Sequence, residues 1–173
     1  DTDVFTPLIE FVERETNIKC QGSYERSAKQ DIAIRVVADH IRAVAFTIAD
    51  GELPANNGAG YVIRRILRRA VRYYYSFLNR EEPLLYLLVP ILAAEFEHVF
   101  PELIAQQDFV TKVVLEEEKS FLRTLEGGLK RIESLTATNN VVSGRAAFEL
   151  LDTFGFPIDL TELIISEKGW VID

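Results

Sequence analysis

Apolar residues recur at intervals of three and four along most of the chain and nowhere alternate over a stretch long enough for a half-buried strand. The strongest run is Ile34, Val37, Ile41, Val44 and Ile48, which predicts a helix opened by Ser27 and Gln30 in capping-box spacing and closed near Asp50-Gly51. Val4, Leu8 and Val12 predict an earlier helix over residues 3–15, with Pro7 admissible only in its first turn, and residues 19–26 read as a polar loop. An irregular loop, GELPANNGAG, fills 51–60. Beyond it, a helix over 61–78 gathers Ile63, Ile66, Leu67, Ala70, Tyr74 and Phe77 on one side. Residues 84–98 predict a buried helical segment bent or broken at Pro90. A long helix over 102–135 comes next, with Phe109, Val113, Phe121, Leu122, Leu125, Leu129 and Ile132 facing inward and Gly127-Gly128 marking a bend or a close helix contact. After a polar connector at 136–140, Ser143 can cap a short helix stopped by Gly155 and Pro157, and Asp159 with Glu162 can open a last one that Gly169 ends. The pattern gives an all-α fold, an irregular helical bundle without heptads or repeats.

A length of 173 residues, 48% hydrophobic and 27% charged, suits a single globular domain. Charge changes the picture more. The net charge is −8, yet Arg64, Arg65, Arg68, Arg69 and Arg72 crowd into nine residues of the 61–78 helix. At about 100° per residue they occupy an arc of roughly 140° opposite the apolar side. Like charges at i,i+4 cost a few tenths of a kcal/mol in an isolated helix, and a phosphate backbone converts that cost into attraction. The competing reading is a solvated basic face paired with some of the 27 acidic side chains.

Several chemistries are disfavoured. One cysteine, Cys20, rules out an internal disulfide, and with only His40 and His98 beside it a protein-only zinc site is not expected. Phosphate-binding P-loop, GxGxxG, GxSxG and HExxH patterns are missing. The most apolar run, 84–94, is too short to span a bilayer and contains Pro90, and the opening residues do not read as a secretory signal. There is no methionine, and the sequence reads as a piece of a longer, cytoplasmic protein. Glu116-Glu117-Glu118 reads as a solvated acidic face, since consecutive helical residues diverge by about 100°. His40 reads as a packed histidine, and Tyr73-Tyr74-Tyr75 mainly as packing. Two polar features remain. Asn56-Asn57 sits at the entrance to the basic helix, where an amide could meet base edges while arginines hold phosphates. Asp152 lies where a helix runs into a Gly-Phe-Pro turn, a place that also suits a local cap.

Three runs, ADHIRAVAFTIADGELPANNGAGYVIRRILRRAVR (38–72), EEEKSFLRTLEGGL (116–129) and FELLDTFGFPIDLTE (148–162), resemble the alanyl-tRNA synthetases in that family's order and approximate spacing. The opening DTDVFTPLI also resembles the stretch after the family's class II catalytic core, so the resemblance covers nearly the whole chain. It implies one helical tRNA-recognition domain over 1–173 between the aminoacylation core and the editing domain. Residues 1–25 would lead out of the core, 26–135 would form the main bundle and 136–173 the C-terminal helices. It further implies that Asn56 of the P-x-N loop and Asp152 of the DT-x-GFP motif recognise a G·U wobble pair in the acceptor stem of alanine tRNA. The five arginines would then hold phosphates. Expected partners are that stem and the flanking domains of the same polypeptide, with neither membrane nor DNA. ATP and Mg2+ would belong to the catalytic core and zinc to the editing domain, so this segment carries no catalytic or metal-binding residue and is expected to form no alanyl-adenylate by itself. Ala55, Asn57, Ala59 and Tyr73-Tyr74 depart from the family's usual run, and Ala59 stands where the family carries an arginine. Without the resemblance, the alternative is a helical protein-interaction module whose basic helix docks an acidic partner.

Overall fold

The computed structural model describes residues 3–136 and 140–173, and within them the chain is helical almost throughout. The helices are α1 (Thr6–Thr16), α2 (Lys29–Ala49), α3 (Gly58–Phe77), α4 (Leu85–Glu95), α5 (Pro101–Ala105), α6 (Gln107–Glu133), α7 (Gly144–Phe154) and α8 (Ile158–Glu167). Two short strands, β1 (Val141–Val142) and β2 (Val171–Ile172), pair in parallel. The all-α expectation holds. Most of the polar connector expected at 136–140 lies outside the described residues. The described residues gather into two compact units that divide between Lys119 and Ser120, so α6 contributes to both.

In the first unit α2 and α3 are the main packed pair. Ile34, Val37, Ile41, Val44 and Ile48 of α2 are all buried, as their spacing predicts, and so are Ile63, Leu67, Ala70, Val71 and Tyr74 of α3. Pro7 lies in the first turn of α1. Helix α2 opens differently from expectation: Ala28 is its N-cap without a side-chain cap bond, and Ser27 Oγ turns back to Glu25 Oε2 at 3.2 Å. Asp31, in the first turn, instead accepts from the backbone N–H groups of Gln21 (2.9 Å) and Ser23 (2.6 Å), which fixes the polar loop before the helix. Helix α4 runs through Pro90 rather than stopping there, with the proline exposed.

The long helix expected over 102–135 is interrupted at Gln106, which separates α5 from α6 and sends its side-chain amide to the Ala49 carbonyl at 2.8 Å. Along α6 Phe121, Leu125 and Ile132 are buried as expected, but in its first turns Val110 and Val114 face inward while Phe109 is exposed and Val113 only half-buried, a correction of one residue confined to that end of the helix.

The acidic triple also departs from expectation. Glu116 is exposed, Glu117 pairs with arginines, and Glu118 is 0% exposed. The Glu118 carboxylate accepts from Tyr74 Oη at 2.9 Å and from the backbone N–H groups of Leu84 (2.8 Å), Leu85 (2.7 Å) and Tyr86 (3.0 Å). It therefore satisfies the free donors that every helix start leaves, here those of α4. The divergence of consecutive side chains holds, but tertiary partners decide the fate of each.

In the second unit the expected close contact at Gly127-Gly128 is present. A Cβ on Gly128 would lie 2.2 Å from the Phe156 ring, and one on Gly127 would lie 3.1 Å from the Phe154 ring. Phe156 also meets Phe121 edge-on at 5.4 Å, and Thr124 Oγ1 donates to the Phe154 carbonyl at 2.7 Å. The Phe-Gly-Phe-Pro turn is thus seated on α6, with Gly155 at φ +68° closing α7 in the left-handed form that glycine adopts at little cost. Ser143 caps α7 as expected, its Oγ accepting from the Ala146 N–H. Asp159 and Glu162 make no capping box, since Pro157 is the N-cap of α8.

Candidate nucleic-acid interface

Helix α3 carries all five arginines, but its neighbours separate their roles. Arg72 is 4% exposed, although it lies near the middle of the basic arc; its guanidinium stands over Tyr73 (5.3 Å) and Phe77 (4.7 Å). Aromatic side chains on the C-terminal half of α3 have covered that stretch of the face. The expectation of five surface arginines is narrowed accordingly. Arg64 and Arg68 both turn towards Glu117 of α6, at 2.6 and 3.8 Å. Burial lowers the Arg68 pKa, with Glu117 opposing. Arg65 and Arg69 are half-buried on the remaining part of the arc. Tyr74 and Tyr73 are buried, in line with packing rather than stacking roles.

The loop before α3 is folded back onto the helix start. The Ala55 N–H donates to the Gly60 carbonyl at 3.0 Å, and a Cβ on Gly60 would fall 2.2 Å from the Leu53 carbonyl oxygen and 2.7 Å from the Ala55 Cβ. Only glycine allows so close an approach. That fold exposes Asn56. Its Oδ1 accepts from Arg64 Nη1, while the same guanidinium donates through Nε and Nη2 to both Glu117 oxygens (3.1 and 2.6 Å) and through Nη2 to the Pro54 carbonyl at 3.4 Å. Sequence reasoning named Asn56 and Arg64 separately and missed Glu117, which lies 53 positions beyond Arg64. No local signal links them.

Asp152 lies in the last turn of α7, exposed, and belongs to the second unit whereas Asn56 belongs to the first. It is not a cap: the turn is closed by the Gly155 N–H donating to backbone carbonyls of α7. His40 is half-buried beside Asp39, and burial lowers its pKa while Asp39 opposes. Among the described residues no group of three His, Cys, Asp or Glu side chains could hold a metal ion, and no helix is long and apolar enough to cross a membrane.

Comparison with known proteins supplies the family. The chain is similar to the alanine–tRNA ligases of Cytophaga hutchinsonii (59% identity), Flavobacterium psychrophilum (56%) and Porphyromonas gingivalis (53%); each match covers 100% of this chain. The chain spans only 20% of the length of each of these relatives. The family described as tRNA synthetases class II (A) matches over residues 1–173, and the chain belongs to that family.

Proposed function

We propose that this segment is the tRNA-binding part of an alanine–tRNA ligase and reads the acceptor stem of alanine tRNA at its G·U pair. The observation that carries the reading is Asn56, an exposed amide held by a guanidinium at the start of a helix rich in arginine. Asn56 and Asp152 are the base-pair readers in this proposal. An amide can donate and accept, a carboxylate only accepts, and the exocyclic amine of guanine is the donor that marks the minor groove. The wide, shallow minor groove of an RNA helix admits such side chains, whereas its deep major groove does not. Arg65 and Arg69 take the phosphates in this proposal, standing half-buried on the basic face where Arg72 is buried. Adenylation with ATP and Mg2+, and zinc-dependent editing, fall to other parts of the cytoplasmic ligase, of which this chain is a fifth by length of its relatives.

The test is aminoacylation of G·U and G·C acceptor stems by the full-length ligase carrying Asn56→Ala or Asp152→Ala. Each variant is expected to lower the ratio of kcat/KM for the two stems by about tenfold, the scale of a single base-edge hydrogen-bonding pair. Unchanged ratios in both variants would refute the base-pair assignment. Loss of a protein partner with tRNA charging intact would point instead to a docking module.

A further inference from the structure

We propose that Arg64 is a positioning residue, clamped by Glu117, that sets which way round the Asn56 amide faces its ligand. This rests on the reading of Asn56 as a base-pair contact. The guanidinium makes a two-point pair with Glu117, through Nε at 3.1 Å and Nη2 at 2.6 Å. Nη2 also reaches the Pro54 carbonyl at 3.4 Å, and Nη1 donates to Asn56 Oδ1. Four of its five N–H donors can be used in this way. The Arg64 and Glu117 side chains are only 18% and 16% exposed, so the charge is compensated and mostly screened from solvent. A cation in that state is poorly placed to hold a phosphate and well placed to hold an amide.

The consequence lies in the amide's polarity. With Oδ1 occupied by an N–H donor, Asn56 presents its NH2 outward; the reverse orientation would set two donors against each other. Asn56 then donates through that NH2, and the complement of this donor on a base pair is an acceptor such as a pyrimidine O2 or a purine N3. The loop geometry supports the same assignment, because the Pro54 carbonyl and the Asn56 side chain are both tied to a single guanidinium. Glu117 in turn fixes that guanidinium from α6.

The experiment uses the full-length ligase with Arg64→Lys, Arg64→Ala, Glu117→Gln and Asn56→Ala. It measures kcat/KM on G·U and G·C stems, the salt dependence of tRNA binding, and thermal unfolding. Lysine keeps the charge but not the fork that spans Glu117 and Asn56. Arg64→Lys should therefore lose about tenfold in discrimination, and adding Asn56→Ala to it should cost little more. Arg64→Ala should leave the salt slope unchanged. A phosphate contact predicts the opposite on both counts: near-normal discrimination with lysine, and a slope smaller by about one with alanine. That result would overturn the inference. If Arg64 variants unfold, Glu117→Gln decides instead: it retains the shape, removes the charge that fixes the guanidinium, and should lower discrimination, so a normal ratio refutes the relay. Should Asn56→Ala keep full discrimination, both the base-pair reading and this inference fall. Should Asn56→Ala lower it while Arg64→Lys does not, only the inference falls.

Discussion

Asp152 occupies the wrong end of its helix for a negative charge. The last turn of α7 carries the partial negative charge of the helix dipole, and an exposed carboxylate there costs about 0.3–1 kcal/mol. Asp152→Asn should accordingly raise stability by about that amount in urea unfolding while reducing preference for the G·U stem. A fall in stability would mean that the carboxylate makes a structural bond and would weaken its role as a reader. The buried carboxylates Asp31 and Glu118 are structural and titrate in opposite senses. Asp31 is held below its usual 3.8 by the Gln21 N–H foremost and then by Ser23, against burial. Its contribution is present above the unfolded value and disappears as pH falls through the folded one. Burial pushes Glu118 above its usual 4.5, opposed by the three backbone N–H groups and Tyr74. Here the folded state binds the proton more tightly, so stability is greatest below the unfolded value and falls as pH rises through the folded one. Urea midpoints followed against pH should show Asp31→Asn flattening the acid-side loss. Glu118→Ala, which strands four donors, should cost about 3 kcal/mol or more at neutral pH.

At the scale of elements, the contact between the Phe-Gly-Phe-Pro turn and α6 makes a sharp prediction. Gly128→Ala would press a methyl group into the Phe156 ring, where three ring atoms lie within 2.9 Å of the added carbon. Overpacking of this kind costs about 1–3 kcal/mol and should appear as a lowered melting temperature. Gly127→Ala meets only the edge of Phe154 at 3.1 Å, and the gain of up to about 1 kcal/mol in helix propensity offsets the contact. If the two variants melt alike, the turn is not seated as described. The glycine pair is legible in the sequence because two glycines inside a helix are costly without a reason; the rings they face are not. Helix α2 is legible through its long run of threes and fours, which is a local property. The start of α6 is not, since at the break Gln106 bonds to the Ala49 carbonyl, 57 residues away. Glu117 and Glu118 read as solvated for the same reason: their partners lie on α3 and at the start of α4. In the candidate site, periodicity locates the arginine face but cannot tell buried Arg72 from half-buried Arg69, and Asn56 and Asp152 stand out through motif resemblance rather than spacing.

A whole chain with a net charge of −8 should repel RNA, so the binding reading requires that local field outweigh total charge. Screening supports that requirement: at about 0.1 M salt the Debye length is roughly 10 Å, so exposed charges farther than this from a phosphate contribute little. Counterion release adds a second asymmetry, because it scales with phosphates actually neutralised and not with the sum over the molecule. Replacing Arg65 and Arg69 with glutamine should therefore weaken tRNA binding on G·U and G·C stems alike and reduce the slope of log K against log salt by about one for each phosphate no longer neutralised. Replacing two exposed acids on other helices, Glu95 and Glu102, with glutamine shifts net charge by the same amount in the opposite direction. That pair should leave the slope unchanged and the affinity nearly so. If instead it strengthens binding as much as the arginine pair weakens it, bulk charge governs association and the phosphate contacts assigned to α3 do not exist.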